Sequence, residues 1–145
     1  MQQHNSETFR ISMRDIDLHG HVHNSVYLDY FEDAVVNAFR RYHLLPLFRP
    51  QSAGVAYHVK KCEATFHHPL TVDDEVMPLV AVEKLGNSSL VFSVQLLLLA
   101  DKSTLCAEGK LIWVCVNPRD HKPCPIPDET RAALRQHLPF TAASA

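Results

Sequence analysis

The chain has 145 residues, a formal net charge of −2 at pH 7, 46% hydrophobic residues and 21% charged residues. That length fits one ordinary domain, and the composition is typical of a globular protein rather than a disordered one. Because the net charge is slightly negative, the chain has no overall attraction to a polyanion, and no nucleic-acid partner is predicted.

The composition also bears on the compartment. The N-terminal sequence MQQHNSETFR is polar and lacks the apolar core of a signal peptide. Apolar runs such as residues 96–100 are much too short to cross a bilayer, so no membrane association is predicted. The cysteines at 62, 106, 115 and 124 form no CxxC pair and are expected to be free thiols. The expected location is therefore cytoplasmic.

The N-terminal third of the chain predicts a strand, a loop and a long helix. Alternating apolar and polar residues predict a first strand over residues 8–14. The polar, histidine-rich run DIDLHGHVHN, residues 15–24, indicates a loop. Aromatic and apolar residues at spacings of three and four then predict a largely buried helix as far as about His43, with Asn24 or Ser25 as its N-terminal cap.

The rest of the chain is β-like. Pro46 and Pro50 end the long helix and open a connection. Strands are predicted over residues 54–68, 75–85, 89–99 and 104–116, and a short terminal helix over residues 128–137. Gly86-Asn87 is a strong hairpin signal. The last two strand blocks are apolar on both faces, which predicts central strands covered on both sides.

This order of elements predicts an α+β fold. Short turns between the later strands imply antiparallel neighbours, and one hydrophobic helix needs a sheet to wrap around it. The first strand must pair somewhere inside the meander, but the pattern does not indicate where.

One segment carries a specific motif. Residues 14–32 read RDIDLHGHVHNSVYLDYFE, and this resembles the D-x-D-x-x-G-h-V-n-N-x-x-Y-l-x-y-f-E signature of the 4-hydroxybenzoyl-CoA thioesterase-like hotdog proteins. The matching positions are Asp15, Asp17, Gly20, His21, Val22, Asn24, Tyr27, Tyr30, Phe31 and Glu32. Position 23 departs from the pattern, because it is His where many relatives carry Asn.

The resemblance extends beyond the motif. Weaker similarity continues through residues 66–74, the hairpin at residues 86–89 and residues 113–118, so that it covers about residues 8–135. It implies a hotdog fold, in which an antiparallel sheet wraps around one long central helix. The whole chain, residues 1–145, is then a single domain.

The resemblance implies an acyl-CoA thioesterase, an enzyme that needs no cofactor and hydrolyses an acyl-CoA to a free acid and CoA. Asp17 is implied as its general base or nucleophile. The unpaired amides at the N-terminus of the central helix carry partial positive charge and are suited to form the oxyanion hole. Gly20 is expected to supply a backbone conformation closed to other residues. The amides of His21, Val22 and His23 are candidate oxyanion donors, among which the sequence does not choose.

Other candidates have ordinary structural roles as alternatives. Asn24 and Tyr27 are candidate substrate-binding residues, although capping and core packing are their default roles. The resemblance makes Ser88 and Ser89 possible contacts for the pantetheine arm, with a turn as the alternative.

Two further kinds of site are disfavoured. The histidines at 19, 21 and 23 could converge on zinc, but no HExxH motif or Cys/His pair supports a metal site, and loop histidines are preferred. Cys62, Cys106 and Cys115 fall in strand blocks and are interpreted as small buried hydrophobic residues rather than nucleophiles.

The resemblance also implies a homodimer or homotetramer with the site between subunits. Two alternatives to acyl-CoA hydrolysis stay open. An acyl carrier protein thioesterase would need a basic surface for its acidic partner, and a non-catalytic acyl-CoA-binding module would need the pocket but not Asp17. The identity of the acyl group is not indicated by any residue.

Overall fold

The computed structural model describes residues 7–141. Its helices and strands are β1 Phe9–Arg10, α1 Val26–Arg41, α2 Pro50–Ala53, β2 Ala56–Phe66, β3 Glu75–Leu85, β4 Ser89–Leu98, β5 Leu105–Val116 and α3 Asp128–His137, with short 3-10 turns at Met13–Asp15 and Leu45–Leu47. The long helix, the four later strands and the terminal helix were all predicted, and β3 and α3 have the predicted bounds.

The five strands form one antiparallel sheet in the order β1-β3-β4-β5-β2. The central positions of β4 and β5 confirm the prediction. The prediction that both faces are covered is wrong at the middle of β4. Phe92 and Leu96 are fully buried on one face, but Gln95 is exposed on the other. The polar residues Ser93 and Gln95 alternate with the apolar ones even in this hydrophobic block, and they leave the outer face partly open to water.

The first strand is shorter than predicted. Only Phe9 and Arg10 pair, opposite Val76 and Glu75 of β3, and they do so at the edge of the sheet rather than inside it. The chain then turns into the 3-10 helix at Met13–Asp15. The side chain of Ser12 accepts a hydrogen bond from the Arg14 amide at 3.3 Å, and this local bond competes with extension of the strand.

Helix α1 packs against β2, β3, β4 and β5, so the sheet surrounds it as the α+β prediction requires. Tyr27, Phe31, Val35 and Phe39 form its buried face. The closest approach is at Gly109 of β5, where an added Cβ would lie 2.4 Å from the ring of Phe31. The absence of a side chain there lets the helix lie close to the middle of the sheet. Within residues 7–141, no helix is both long and apolar enough to span a bilayer.

The start of α1 differs from the prediction. Neither Asn24 nor Ser25 caps the helix through its side chain. Instead, Nδ1 of His23 accepts a hydrogen bond from the Ser25 amide at 3.2 Å and lies 2.8 Å from the Ser25 hydroxyl. The imidazole therefore binds an amide at the helix entrance, a role that an oxygen-bearing cap usually has.

Candidate functional site

The segment from Asp15 to Asn24, here called the Asp17 loop, leads directly into the N-terminus of α1. An isolated antiparallel bridge between Ile16 and Val22 closes its base. Inside the loop, the Asp17 amide donates to the His21 carbonyl at 2.8 Å. The loop is therefore a tight, internally hydrogen-bonded excursion that holds Asp17 near the helix entrance.

Two hydrogen bonds tie the Asp17 loop to the connection between β2 and β3. The Val22 amide donates to the Leu70 carbonyl at 2.8 Å, and the Thr71 hydroxyl donates to the Gly20 carbonyl at 3.0 Å. Gly20 has a φ of +82°, a conformation that favours glycine, and no heavy atom lies within 4 Å of where a Cβ would be. Gly20 is thus required by backbone conformation rather than by crowding.

Asp17 is half-buried, and its carboxylate is held by the loop's own amides. Its Oδ1 accepts hydrogen bonds from the His19 amide at 2.8 Å and the His21 amide at 3.3 Å. Desolvation opposes ionisation of this group. The two amide hydrogen bonds and the charges of His19 and His21 outweigh it and hold the pKa of Asp17 below its ordinary value of 3.8. The group is therefore an ionised carboxylate at neutral pH.

The three predicted oxyanion donors are already hydrogen-bonded. The Val22 amide donates to Leu70, the His23 amide donates to the Asp15 carbonyl at 2.9 Å, and the His21 amide donates to Asp17. None of these three is free to bind a substrate oxygen in this structure, because each satisfies a partner that the sequence pattern cannot show.

A different amide is available at the helix entrance. The N–H of Asn24, which lies just before the first turn of α1, has no hydrogen-bond partner among residues 7–141. The sequence pattern predicts Asn24 as a helix cap or a substrate-binding residue, both through its side chain. Its place immediately before a buried helix was the one sequence signal for a free donor.

The loop histidines remain on the surface. His19, His21 and His23 are all exposed, and the ring of His23 is engaged with Ser25. In the part of the chain that the structure describes, no group of three or more His, Cys, Asp or Glu side chains is placed to hold a metal ion.

Tyr27 lies in the core beneath the loop. It is 4% exposed, and its ring packs edge-on against Phe66 at a centroid distance of 5.0 Å and against Tyr30 at 5.9 Å. Burial raises the pKa of Tyr27, so the phenol stays protonated. Most of the Tyr27 side chain is therefore buried by packing in the core. The Asn24 side chain, by contrast, is exposed at the helix entrance.

Ser88 and Ser89 do not share a site with Asp17 inside one chain. Ser88 lies in the turn between β3 and β4, and Ser89 is the first residue of β4; their carbonyls accept the amides of Cys115 and Gly86, respectively. The Asp17 loop is bonded to the connection at the opposite end of β3. That strand has 11 residues, which at about 3.3 Å per residue separates the two ends by about 35 Å.

The cysteines offer no activated nucleophile. Burial raises the pKa of both Cys106 and Cys115 to about 11, so both are neutral thiols at physiological pH. Cys62 was expected to be buried but is exposed, because β2 is an edge strand. Desolvation also raises the pKa of Cys62.

Several large apolar side chains are exposed in or next to the Asp17 loop. Leu18 at the loop tip is 96% exposed, Met13 is 69% exposed, and Phe66 at the end of β2 is 50% exposed. Exposed apolar groups concentrated in one region indicate an interaction surface for a ligand or another protein chain. The Asp17 loop thus combines an ionised carboxylate, a free amide and an apolar rim.

Comparison with known proteins gives a consistent result. A family model described as the thioesterase-like superfamily matches residues 11–134. The acyl-CoA thioester hydrolase YbgC of Escherichia coli is 27% identical over 88% of this chain and 92% of that protein. The 1,4-dihydroxy-2-naphthoyl-CoA hydrolase of a Synechococcus species is 30% identical over 85% of this chain and 83% of that protein.

A solved structure shares the fold. The structure of Slr0204, a 1,4-dihydroxy-2-naphthoyl-CoA thioesterase from Synechocystis, superposes with a TM-score of 0.81 over 90% of this chain and 94% of that one, at 17% identity. The predicted hotdog architecture, an antiparallel sheet around one helix, is thereby confirmed.

Proposed function

Since this chain belongs to the thioesterase-like superfamily and is a thioester hydrolase, we propose that its substrate is an acyl-CoA, which it cleaves to a free acid and CoA. The observation that carries the proposal is the ionised, half-buried carboxylate of Asp17, held in the loop that leads into the N-terminus of a buried helix. The activities for which the two relatives are named, both hydrolyses of acyl-CoA thioesters, support the choice of CoA as the carrier.

Asp17 acts on the thioester in one of two ways. As general base, it takes a proton from a water molecule while the water oxygen attacks the carbonyl carbon; the C–S bond then breaks and the CoA sulfur leaves with a proton. As nucleophile, it attacks the carbonyl carbon and expels CoA, and water then hydrolyses the mixed anhydride. Both routes need the carboxylate ionised, which is the form that the His19 and His21 amides stabilise.

The oxyanion that develops in either route needs hydrogen-bond donors in fixed positions. We assign this role to the Asn24 amide, the free donor at the start of α1, together with the positive end of the helix dipole. Asp17 and Asn24 are only seven positions apart in the chain and belong to one hydrogen-bonded loop, so both are held close to the helix entrance.

We also propose a homodimer, paired through β2, as the active unit. In the described part of the chain β2 pairs only with β5, so one edge of an 11-residue strand is open, and Val59 and Phe66 on it are 53% and 50% exposed. If two β2 strands paired antiparallel about a two-fold axis, the Ala56 end of one would lie beside the Phe66 end of the other.

This pairing would explain how Ser88 and Ser89 could contribute to a site that contains Asp17. Ser89 pairs with Val114, so it lies at the same end of the sheet as Ala56, which pairs with Val116. The partner's Ala56 end would therefore bring the partner's hairpin to the end of the sheet that holds Asp17. A site between two chains, or between the dimers of a homotetramer, would combine residues that one chain keeps about 35 Å apart.

The function is tested by thiol release from a panel of acyl-CoA esters with short, long and aromatic acyl groups. We expect the native protein to hydrolyse at least one ester, and Asp17→Asn to lose about a hundredfold or more in kcat. Asp101→Asn is the matched control, because that exposed carboxylate also accepts two backbone amides but lies in the turn between β4 and β5. It should keep native activity.

Two results would contradict the proposal. Equal turnover by native protein and Asp17→Asn would remove Asp17 from the mechanism. No turnover on any CoA ester would reject the substrate class and leave a carrier-protein thioester, or binding without hydrolysis, as the function to test.

A further inference from the structure

The motif contains a second carboxylate, Asp15, that the proposed mechanism does not use. Its Oδ2 accepts a hydrogen bond of 2.8 Å from the hydroxyl of Tyr30, in the second turn of α1. Asp15 is half-buried, and Tyr30 is 8% exposed. The hydroxyl of this buried tyrosine donates its hydrogen bond to one carboxylate, and this bond is a specific contact between the Asp17 loop and α1.

The backbone of Asp15 makes a second contact. Its carbonyl accepts the His23 amide at 2.9 Å, so residue 15 joins the beginning of the Asp17 loop to its end. The nearby Arg14 contributes little, because its Nε lies 3.9 Å from Oδ1 of Asp15 and its side chain is 85% exposed. Tyr30 is therefore the residue that fixes the Asp15 side chain.

The ring of Tyr30 is held independently of its hydroxyl. It packs against Phe9 at a centroid distance of 4.9 Å and against Tyr27 at 5.9 Å. A change from Tyr30 to Phe would keep these contacts and remove only the hydrogen bond to Asp15. The chain thus offers a variant that separates the tether from the core packing.

We propose that Tyr30 and Asp15 are positioning residues for hydrolysis, which tether the Asp17 loop to α1 and so fix the Asp17 carboxylate relative to the Asn24 amide. The inference rests on the proposed function, because it takes Asp17 as the catalytic carboxylate. The carboxylate lies within the Asp17 loop and the amide at its last residue, where α1 begins, and the Tyr30–Asp15 bond ties the first residue of the loop to the helix. A reacting group displaced by about 1 Å can cost as much as a hundredfold in rate.

The test compares Tyr30→Phe, Asp15→Ala and Asp15→Asn in kcat, in KM and in amide hydrogen exchange of the loop. Tyr30→Phe and Asp15→Ala should each lower kcat about tenfold or more, change KM by less than about threefold, and speed exchange at His21 and His23. Asp15→Asn should keep most of the activity, since its amide oxygen still accepts the Tyr30 hydrogen bond. The double variant Tyr30→Phe/Asp15→Ala should lose little more kcat than either single variant, because each of these three variants removes the same Tyr30–Asp15 hydrogen bond.

Tyr42→Phe is the matched control. Tyr42 is a half-buried tyrosine directly after the last residue of α1, at the end of the helix away from the Asp17 loop, and its ring stacks on His137 at a centroid distance of 5.0 Å. Removing this hydroxyl should leave kcat and loop exchange unchanged.

The outcomes separate the tether from the proposed function. Native kcat and native loop exchange in Tyr30→Phe would overturn the inference, as would a loss of kcat with unchanged loop exchange. If Asp17→Asn kept full activity, the proposed function would fail. In that case, faster loop exchange in Tyr30→Phe together with native loop exchange in Asp15→Asn would still support the tether.

Discussion

Gly109 sets how closely α1 approaches the sheet, and Gly109→Ala tests that contact. An added Cβ would lie 2.4 to 2.8 Å from three ring atoms of Phe31. Carbon atoms in contact prefer about 3.5 Å or more, so the buried ring would have to move by about 1 Å. Overpacking of this kind costs about 1–3 kcal/mol, and a reduced unfolded-state entropy returns up to about 1 kcal/mol. We therefore expect a net loss of about 1–2 kcal/mol in the free energy of unfolding.

The assay is urea unfolding at one fixed protein concentration, followed by a double-mutant cycle with Phe31→Leu. A smaller side chain on α1 makes room for the new methyl group, so Gly109→Ala should cost less in the Phe31→Leu background than in the native one. A loss below about 0.5 kcal/mol in the native background would refute the reasoning. So would equal losses in the two backgrounds.

Two further predictions concern the Asp17 loop. Gly20→Ala and Gly54→Ala each place a Cβ at a positive φ, +82° and +77°, with no neighbour within 4 Å, so each should lose about 1–2 kcal/mol of stability. Only Gly20→Ala should also lower kcat, because Gly54 lies outside the loop; equal kcat in the two variants would contradict the role of Gly20. The second is pH dependence. The pKa of Asp17 is lowered, so the midpoint of its protonation lies below the ordinary value of 3.8 and the carboxylate stays ionised as pH falls to about 5. A profile of kcat/KM against pH, limited to the range where circular dichroism shows a folded protein, should therefore stay flat down to about pH 5. An acid limb near about pH 6 would instead indicate an imidazole.

The sequence predicts the fold well because the elements that decide it have strong local patterns. Strand β3 and helix α3 begin and end at the predicted residues, since turns and prolines mark their ends. The first strand was overestimated because Ser12 and the 3-10 turn that follows it make local hydrogen bonds. Alternation of apolar and polar residues does not detect such bonds.

The local structure of the candidate site was predicted in part. The motif identified the segment that contains Asp17 and the need for Gly20, since a positive φ is a local property of the chain. The availability of each amide was not predictable. The Val22 amide donates its hydrogen bond to the carbonyl of Leu70, which is 48 positions away in the sequence, whereas the Asn24 amide has no partner among residues 7–141. Partners that far apart are set by tertiary structure, which a single sequence does not display.

The central claim is that Asp17 takes part in the hydrolysis step and is not needed for substrate binding. It is tested most directly by measuring, in one variant, both kcat on the best acyl-CoA ester and the Kd of the matching non-hydrolysable thioether. Asp17→Asn should bind the thioether with a Kd within about threefold of native while kcat falls about a hundredfold or more. A native kcat, or a loss of binding large enough to account for the whole loss of activity, would contradict the claim.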